Sequence, residues 1–327
     1  MTKKKLKIVI PGGLDIDFKS YLEKNFKSKG VLSKYNIVSV NKKPGELSRE
    51  LLDADVFITT RWPNKYINAP KLKLIQIPAA GFDNIHFESV PKGCKVSNTF
   101  EHEVPIAEYC LLSMLEAEIN LNKMNAQLKK GNWKGYFSSS SFHGELYNKK
   151  IGIIGYGHIG KEIAKRAKAF KMNISSLVRN IDKYRSNKYV NFLSIKNINK
   201  EVSKFDYLII ACPLNDETRG LAGQSFFTNI KHGAILINIA RGALIEDEAM
   251  IEALDRGQLE AAALDVFHTE PLPAKDPLWN HPKVRVTAHT SFAGDGTRSR
   301  WDELFFDNLP RFVQGEKLMY EVAPADI

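Results

Sequence analysis

Short apolar runs alternate with amphipathic stretches over the first hundred residues. Each run is long enough for one strand, and nearly continuous apolar character is typical of strands covered on both faces of a parallel sheet. Between them, Phe18–Lys29 and Gly45–Asp53 have helical spacing, and the first of these helices is expected to end near Gly30. This alternation predicts a parallel α/β fold. The predicted strands are Leu6–Ile10, Asn36–Val40, Val56–Thr60, Leu72–Ile77 and Cys94–Asn98.

The stretch from Val104 to Lys129 has a different pattern, because apolar side chains lie on most faces of the helix that it predicts. A helix that is apolar nearly all round is usually buried, so we expect one long helix packed between domains or subunits. The segment Tyr136–Ser141, which ends in four consecutive serines, is predicted to be a loop.

A second alternating series begins at Lys150. Its first strand, Ile151–Gly155, leads into a predicted helix over Ile159–Phe170. The apolar face of this helix is expected to comprise Ile159, Ile163, Ala167 and Phe170. Further strands are predicted at Ile174–Val178, Tyr207–Ala211, Ala234–Ile239, Ala262–Val266 and Val284–Ala288. After Gly294 the pattern becomes helical again, over Trp301–Gln314.

Two such series in 327 residues exceed what one compact core usually holds. We therefore predict two α/β domains, each a doubly wound parallel sheet. The first is expected to comprise residues 1–102 and a returning segment, 296–327. The second is expected to comprise residues 103–295.

Composition and charge restrict the partners of the chain. No apolar run approaches the roughly 18 residues needed to cross a bilayer. The net charge is +10, but the lysines are spread along the chain, so we predict neither a nucleic-acid nor a membrane partner. Three widely spaced cysteines, Cys94, Cys110 and Cys212, predict neither a disulfide framework nor a metal site. They suit a reducing compartment, so we expect a cytoplasmic protein.

A glycine-rich turn joins the first strand of the second series to its helix. Gly155 permits a tight turn, Gly157 lets the backbone approach a pyrophosphate, and Gly160 lets helix and strand pack closely. The pyrophosphate would then lie at the positive end of the helix. In this strand–turn–helix context the motif predicts a dinucleotide site. The full motif is Gly155-Tyr156-Gly157-His158-Ile159-Gly160.

The acid that normally binds the adenosine ribose is missing from its expected place. It should lie about 20 residues after the glycines, at the end of the next strand. Val178 stands there, followed by Arg179 and Asn180. Since an arginine can pair with a 2′-phosphate, we predict NADP as the preferred cofactor, with NAD also possible.

Three polar segments follow later predicted strands or overlap their ends, and so lie at the sheet edge where ligands of open α/β folds bind. They are Asn238-Ile239-Ala240-Arg241-Gly242, Leu264-Asp265-Val266-Phe267-His268-Thr269-Glu270-Pro271-Leu272-Pro273 and Thr287-Ala288-His289-Thr290-Ser291. With the glycine motif before them, they resemble the D-isomer-specific 2-hydroxyacid dehydrogenases in content and order. Ala79–Ile85 looks like the substrate-anion loop of that family, and Ile106–Tyr109 like the start of its interdomain helix.

The resemblance implies a catalytic set of three residues. Arg241 would bind the carboxylate and carbonyl oxygen of a small 2-keto acid, and His289 would give a proton to that oxygen as hydride arrives. Glu270 would pair with His289. This chemistry is reasonable, because a fixed guanidinium and an imidazolium stabilise charge on the oxygen. A nearby carboxylate also favours the protonated imidazole near neutral pH.

The resemblance also implies the two folds and the ligand contacts. The first domain would be a flavodoxin-like substrate domain and the second a Rossmann dinucleotide-binding domain, and the family is usually homodimeric. Backbone N–H groups around Ala80 and Gly81 would hold the substrate carboxylate, and Asp265 would sit near the nicotinamide. The predicted cofactor contacts also include Cys212, Pro213 and Ala240.

Alternatives remain within this fold. The substrate is not named by any residue, and glyoxylate and hydroxypyruvate follow from family frequency alone. A formate dehydrogenase would be expected to carry glutamine in place of Glu270. A non-catalytic dinucleotide sensor, like the co-repressors of this fold, is the main alternative to an enzyme. Turnover of a 2-keto acid separates the two.

Overall fold

The computed structural model describes residues 5–12, 18–40, 45–65, 67–131, 133 and 142–322. The chain forms two compact units, one of Met1–Glu101 with Arg298–Ile327 and the other of His102–Thr297. We call them the terminal unit and the central unit. The loop predicted over Tyr136–Ser141 lies outside the described residues.

The terminal unit contains a sheet in the order β13-β5-β4-β3-β1-β2. The first five strands in sequence are mutually parallel, and β13 pairs antiparallel with β5. Their order, 2-1-3-4-5, is that of the flavodoxin-like fold, which confirms the predicted fold class. The strands are β1 (Leu6–Pro11), β2 (Tyr35–Val40), β3 (Val56–Ile58), β4 (Leu74–Gln76), β5 (Lys95–Ser97) and β13 (Glu321–Val322). The helices are α1 (Phe18–Ser28), α2 (Glu46–Leu51) and α9 (Thr297–Gln314).

Apolar side chains cover both faces of this sheet. Along β1, Ile8 and Ile10 pack in one buried cluster with Phe26 of α1, whereas Val9 packs in another with Leu51 of α2. Side chains alternate between the two faces of a strand, so an uninterrupted apolar run is what a doubly covered strand requires.

The central unit contains seven parallel strands in the order β12-β11-β10-β9-β6-β7-β8. This is the Rossmann order with one further strand, and it confirms the second predicted fold. The order reverses between β6 and β9, where ligands of this fold bind. The strands are β6 (Lys150–Ile154), β7 (Asn173–Val178), β8 (Asn191–Ser194), β9 (Tyr207–Ile210), β10 (Ala234–Asn238), β11 (Leu259–Leu264) and β12 (Val284–Val286). The helices are α3 (Glu103–Ile119), α4 (Leu121–Lys129), α5 (His158–Ala169), α6 (Ile198–Glu201), α7 (Gln224–Asn229) and α8 (Asp247–Asp255).

The long helix predicted from Val104 to Lys129 is two helices, so that prediction is wrong. Asn120 adopts a left-handed conformation with φ of 51° and ends α3, and α4 starts at the next residue. Asparagine tolerates this conformation better than most residues do. Within the central unit α3 packs against α5 through Ala107, Cys110 and Met114.

Two other details differ from the predictions. Phe170 lies just beyond the end of α5 and is 40% exposed, so it does not belong to the buried face; Gly160 and Ala164 do. The strand predicted at Ala262–Val266 is β11, which begins three residues earlier, at Leu259. The sequence pattern also failed to predict β8, β13 and the short helices α6 to α8. These elements are too short to show a clear periodicity of apolar residues.

Candidate active site

The carboxyl ends of the central unit's strands carry the predicted site residues. Gly155 follows β6, Cys212 lies two residues after β9, and Arg241 lies three residues after β10. Asp265 directly follows β11, and Thr287 directly follows β12. Because parallel strands present their carboxyl ends at one edge, these segments share the edge where the strand order reverses.

The glycine turn has the geometry that a dinucleotide needs. Gly155 has φ of 102°, and a Cβ there would lie 2.8 Å from the Ala211 carbonyl oxygen. A Cβ on Gly160 would lie 2.3 Å from the carbonyl oxygen of Gly155. A Cβ on Gly157 would meet no protein atom within 4 Å, so the backbone there faces open space beside the start of α5. These residues fit a pyrophosphate at the helix N-terminus.

An aromatic cluster, not found from the sequence, supports the second residue of this turn. The Tyr156 ring makes edge contacts with Tyr184 and Phe192, and those two rings stack with centroids 4.7 Å apart. The Tyr184 hydroxyl donates to the Tyr156 carbonyl oxygen at 3.4 Å, and the Asn187 amide donates to the Tyr156 hydroxyl at 3.1 Å. The segment after β7 is thereby fixed against the glycine turn.

The end of β7 carries a buried valine and two exposed polar residues. Val178 is 6% exposed, whereas Arg179 and Asn180 are exposed. The Asn180 side-chain oxygen accepts a hydrogen bond from the Asp182 backbone N–H at 3.0 Å and so caps the following turn. Burial raises the pKa of the Cys212 thiol to about 12, although the positive charge of nearby Arg179 opposes this.

The Arg241 turn is shaped by its neighbours in the sequence. The fully buried Asn238 side chain donates to the Arg241 carbonyl oxygen at 2.8 Å and accepts from the Ala240 N–H at 3.1 Å. A Cβ on Gly242 would lie 2.0 Å from the carbonyl carbon of Phe267, so only glycine fits. The turn thus packs directly against the backbone of the segment that carries Glu270.

His289 and Glu270 form the pair that the resemblance implied. The His289 Nδ1 and Glu270 Oε2 atoms are 2.8 Å apart, and Glu270 Oε1 accepts from the Phe267 N–H at 3.0 Å. An ionised carboxylate only accepts, so Nδ1 carries the hydrogen of this bond. The side chains are 43% and 37% exposed. With Nδ1 bound to the carboxylate, Nε2 is the ring nitrogen available for proton transfer.

The carboxylate of Asp265 holds the loop that carries His289. Asp265 is fully buried and accepts from Thr287 Oγ1 at 2.6 Å, from the Thr290 N–H at 2.9 Å and from the Ser291 N–H at 3.0 Å. Its carbonyl oxygen accepts from the His289 N–H at 2.8 Å. His289 has φ of 51°, a left-handed conformation that a non-glycine residue keeps only where its surroundings fix it. These hydrogen bonds from Thr287, Thr290 and Ser291 were not predicted from the sequence.

Two other histidines beside the motifs have different partners. His268 Nε2 lies 2.8 Å from the Ile245 carbonyl oxygen and 3.7 Å from Asp247. His158 Nδ1 lies 3.8 Å from Glu103. Burial opposes ionisation of Glu103, but the contact with His158 holds the pKa of Glu103 below its ordinary value. The structure therefore places neither histidine in the His289–Glu270 pair.

The Ala80–Gly81 segment belongs to the terminal unit and follows β4. The Asn98 amide donates to the Ala80 carbonyl oxygen at 2.8 Å, and the Thr99 N–H donates to the Ala79 carbonyl oxygen at 2.9 Å. Ala80 and Gly81 are half-buried. The loop is thus anchored through its carbonyl groups to the residues that follow β5.

The described part of the chain contains neither a candidate metal site nor a membrane-spanning helix. No group of three or more histidine, cysteine, aspartate or glutamate residues is placed to hold a metal ion there. None of the helices in the same residues has the length and apolarity needed to cross a membrane.

Known proteins of similar sequence or structure show the family to which the chain belongs. The family model described as "D-isomer specific 2-hydroxyacid dehydrogenase, NAD binding domain" matches residues 111–291, more than half of the chain. The crystal structure of a D-isomer specific 2-hydroxyacid dehydrogenase from Xanthobacter autotrophicus Py2, a complex with NADPH and MES, has a TM-score of 0.81. It is 22% identical, and 99% of each chain is covered, so it shows the same fold.

Two curated relatives are more similar in sequence. A glyoxylate reductase from Pyrococcus horikoshii is 34% identical over 286 residues, 83% of this chain and 85% of its own. A D-3-phosphoglycerate dehydrogenase from Methanocaldococcus jannaschii is also 34% identical, over 83% of this chain, but the match spans only 52% of that longer protein. The chain belongs to the D-isomer specific 2-hydroxyacid dehydrogenase family, a group of oxidoreductases that bind a nicotinamide dinucleotide.

Proposed function

We propose that this protein reduces a small 2-keto acid to the corresponding D-2-hydroxy acid. The observation that carries the proposal is the 2.8 Å pair between His289 and Glu270, on the sheet edge that also holds the glycine turn and Arg241. Such a pair supplies a proton at a fixed position, which carbonyl reduction requires.

His289 and Glu270 have separate roles in the proposed reduction. The reduced nicotinamide, when bound, supplies the hydride that adds to C2 of the keto acid. The carbonyl π electrons move to oxygen, and that oxygen takes the proton from His289 Nε2. Glu270 holds the imidazole through Nδ1 and stabilises its protonated form. The products are the hydroxy acid and the oxidised dinucleotide, and His289 is left neutral.

Substrate binding is assigned to an arginine and a backbone loop. The Arg241 guanidinium matches a planar carboxylate with two parallel donors, which a lysine cannot do. We also assign the backbone N–H groups around Ala80 and Gly81 to the substrate carboxylate, on the strength of the family loop that Ala79–Ile85 resembles. Glyoxylate and hydroxypyruvate are the substrates that we propose, since a relative matched over most of its length is a glyoxylate reductase.

NADPH is the cofactor that we propose as preferred. Val178 offers no acceptor for the ribose hydroxyls of NADH, whereas exposed Arg179 can pair with a 2′-phosphate. Lys183 adds positive charge on the turn that Asn180 caps. The remaining proposed cofactor contacts are Gly155, Tyr156, Gly157, His158, Ile159, Gly160, Cys212, Pro213, Ala240 and Asp265.

A panel of 2-keto acids, each assayed with NADPH and with NADH, tests both the reaction and the cofactor. We expect turnover of at least one keto acid and a kcat/KM ratio for NADPH over NADH above about ten, since one charged hydrogen bond contributes about 1.5–3 kcal/mol. The double variant Val178→Asp with Arg179→Ala should move the ratio towards NADH. A wild-type ratio below one that the double variant leaves unmoved would remove Arg179 from cofactor selection.

We further propose a cytoplasmic homodimer. Several large apolar side chains between residues 112 and 147 of the central unit lie exposed, among them Leu112, Leu121, Trp133 and Phe142. Exposed apolar side chains of this size support the presence of a protein interface. Cys94, Cys110 and Cys212 are all free thiols, which supports a reducing compartment.

A further inference from the structure

A chain of hydroxyl groups links α3 to the buried carboxylate beneath the His289 loop. The Tyr109 hydroxyl lies 3.0 Å from Thr287 Oγ1, which lies 2.6 Å from Asp265 Oδ1. A carboxylate can only accept, so the single hydroxyl hydrogen of Thr287 points to Asp265. Thr287 Oγ1 must then accept from Tyr109. Both hydrogen bonds therefore point towards the carboxylate, and each strengthens the other.

The state of Tyr109 agrees with its role as a donor. Burial raises the pKa of the Tyr109 hydroxyl, and the negative charge of Asp265 adds to this rise, although the bond to Thr287 opposes it. The hydroxyl therefore keeps its hydrogen at neutral pH. Tyr109 is half-buried and packs against the apolar cluster between α3, α5 and the sheet, which limits the movement of its ring.

Asp265 connects this chain to the catalytic loop. The same oxygen that accepts from Thr287 accepts from the Thr290 N–H, and the other oxygen accepts from the Ser291 N–H. These two N–H groups directly follow His289, whose own N–H donates to the Asp265 carbonyl oxygen. The position of the carboxylate therefore sets the position of the His289 backbone on both sides of its left-handed conformation.

We propose that Tyr109 is a positioning residue for His289, acting through Thr287 and Asp265. This inference rests on the proposed proton transfer from His289. Tyr109 orients the Thr287 hydroxyl, Thr287 fixes one carboxylate oxygen of Asp265, and Asp265 holds the imidazole where Nε2 can reach the substrate oxygen. Tyr109 therefore acts on the catalytic step without contacting the substrate.

Tyr207 provides the matched control. It lies in the same unit, is 1% exposed, and its hydroxyl donates to Glu118, remote from the His289 loop. Replacement by phenylalanine removes one hydrogen-bonded hydroxyl in either case and keeps the ring. If Tyr109 contributed to stability alone, Tyr109→Phe and Tyr207→Phe would both lower the Tm and leave kcat unchanged.

The experiment compares Tyr109→Phe, Thr287→Val, Thr287→Ser and the double variant Tyr109→Phe with Thr287→Val, using one good keto acid and NADPH. We expect Tyr109→Phe to lower kcat by about three- to tenfold, the effect of one lost hydrogen bond. The KM of the keto acid and the Kd of NADPH should hardly change. Thr287→Ser keeps the hydroxyl and should stay close to wild type. The double variant should be no slower than Thr287→Val alone, because the two residues act in series.

The outcomes separate this inference from the proposed function. Tyr207→Phe should lower the Tm to a similar degree as Tyr109→Phe while leaving kcat unchanged. The inference is overturned if Tyr109→Phe lowers only the Tm, or if the effects of Tyr109→Phe and Thr287→Val multiply. His289→Gln is assayed beside them. Full activity in that variant contradicts the proposed function, whereas an inactive His289→Gln with a fully active Tyr109→Phe contradicts the positioning role alone.

Discussion

Replacing His289 by glutamine should lower the rate of keto-acid reduction by roughly 10²–10⁴-fold, the range typical of a lost general acid. Glutamine keeps a polar side chain of similar length but has no proton to give, so the developing alkoxide loses its proton source. Stopped-flow measurement of NADPH oxidation gives the rate, and fluorescence titration should show that NADPH affinity hardly changes.

The pH dependence of the wild-type rate follows from the same role. Neutral His289 keeps its hydrogen on Nδ1, against Glu270, and has none on Nε2 to donate. Reduction should therefore be slower at alkaline pH, where that proton is absent. The matched control is His268→Gln, because His268 is bonded to the Ile245 carbonyl oxygen and should leave turnover near wild type. Turnover near wild type in His289→Gln would remove His289 from the mechanism.

Replacing Arg241 by lysine should lower kcat/KM for the keto acid by roughly 10- to 150-fold, although the charge is kept. Lysine is a point charge and cannot make two parallel hydrogen bonds to a carboxylate. The loss of one charge-assisted bond, about 1.5–3 kcal/mol, corresponds to that range. Both a higher apparent KM and a lower kcat are expected, since the proposed reaction also places the guanidinium beside the carbonyl oxygen as charge develops.

The control for this substitution is Arg285→Lys. Arg285 lies in β12 of the same unit, pairs loosely with Glu116 at 3.8 Å and has a side chain 47% exposed. Its conversion to lysine should not change kcat/KM. Equal activity of Arg241→Lys and the wild type on every good substrate would mean that another group binds the carboxylate, and Arg61 would be the next residue to replace.

The sequence predicted both sheets because buried parallel strands need uninterrupted apolar runs, and such runs are visible in β1, β6 and β9. It did not reveal the break at Asn120. A single asparagine in an apolar, helix-forming stretch does not show whether the backbone turns left-handed there, since packing decides it. The face of α5 was misjudged at Phe170 because the helix ends one residue earlier.

The site was predictable where its residues stand in ordered motifs. The His289–Glu270 contact joins residues 19 positions apart, and the order of the motifs was enough to suggest it. The support from Tyr109 was not visible, because a tyrosine in an apolar helix resembles any other core residue until its hydroxyl partner is known. The Tyr184–Phe192 stack depends in the same way on how the turn after β7 packs against β8.

Transfer of the hydride to C2 of the keto acid tests the proposed reaction most directly. NADPH carrying deuterium at both C4 positions is incubated with the wild-type protein and either glyoxylate or hydroxypyruvate, and the product is analysed by mass spectrometry and NMR. We expect a 2-hydroxy acid with one deuterium at C2, formed in equal amount to the oxidised dinucleotide. Binding of NADPH without turnover of any 2-keto acid, or a product without deuterium at C2, would contradict it.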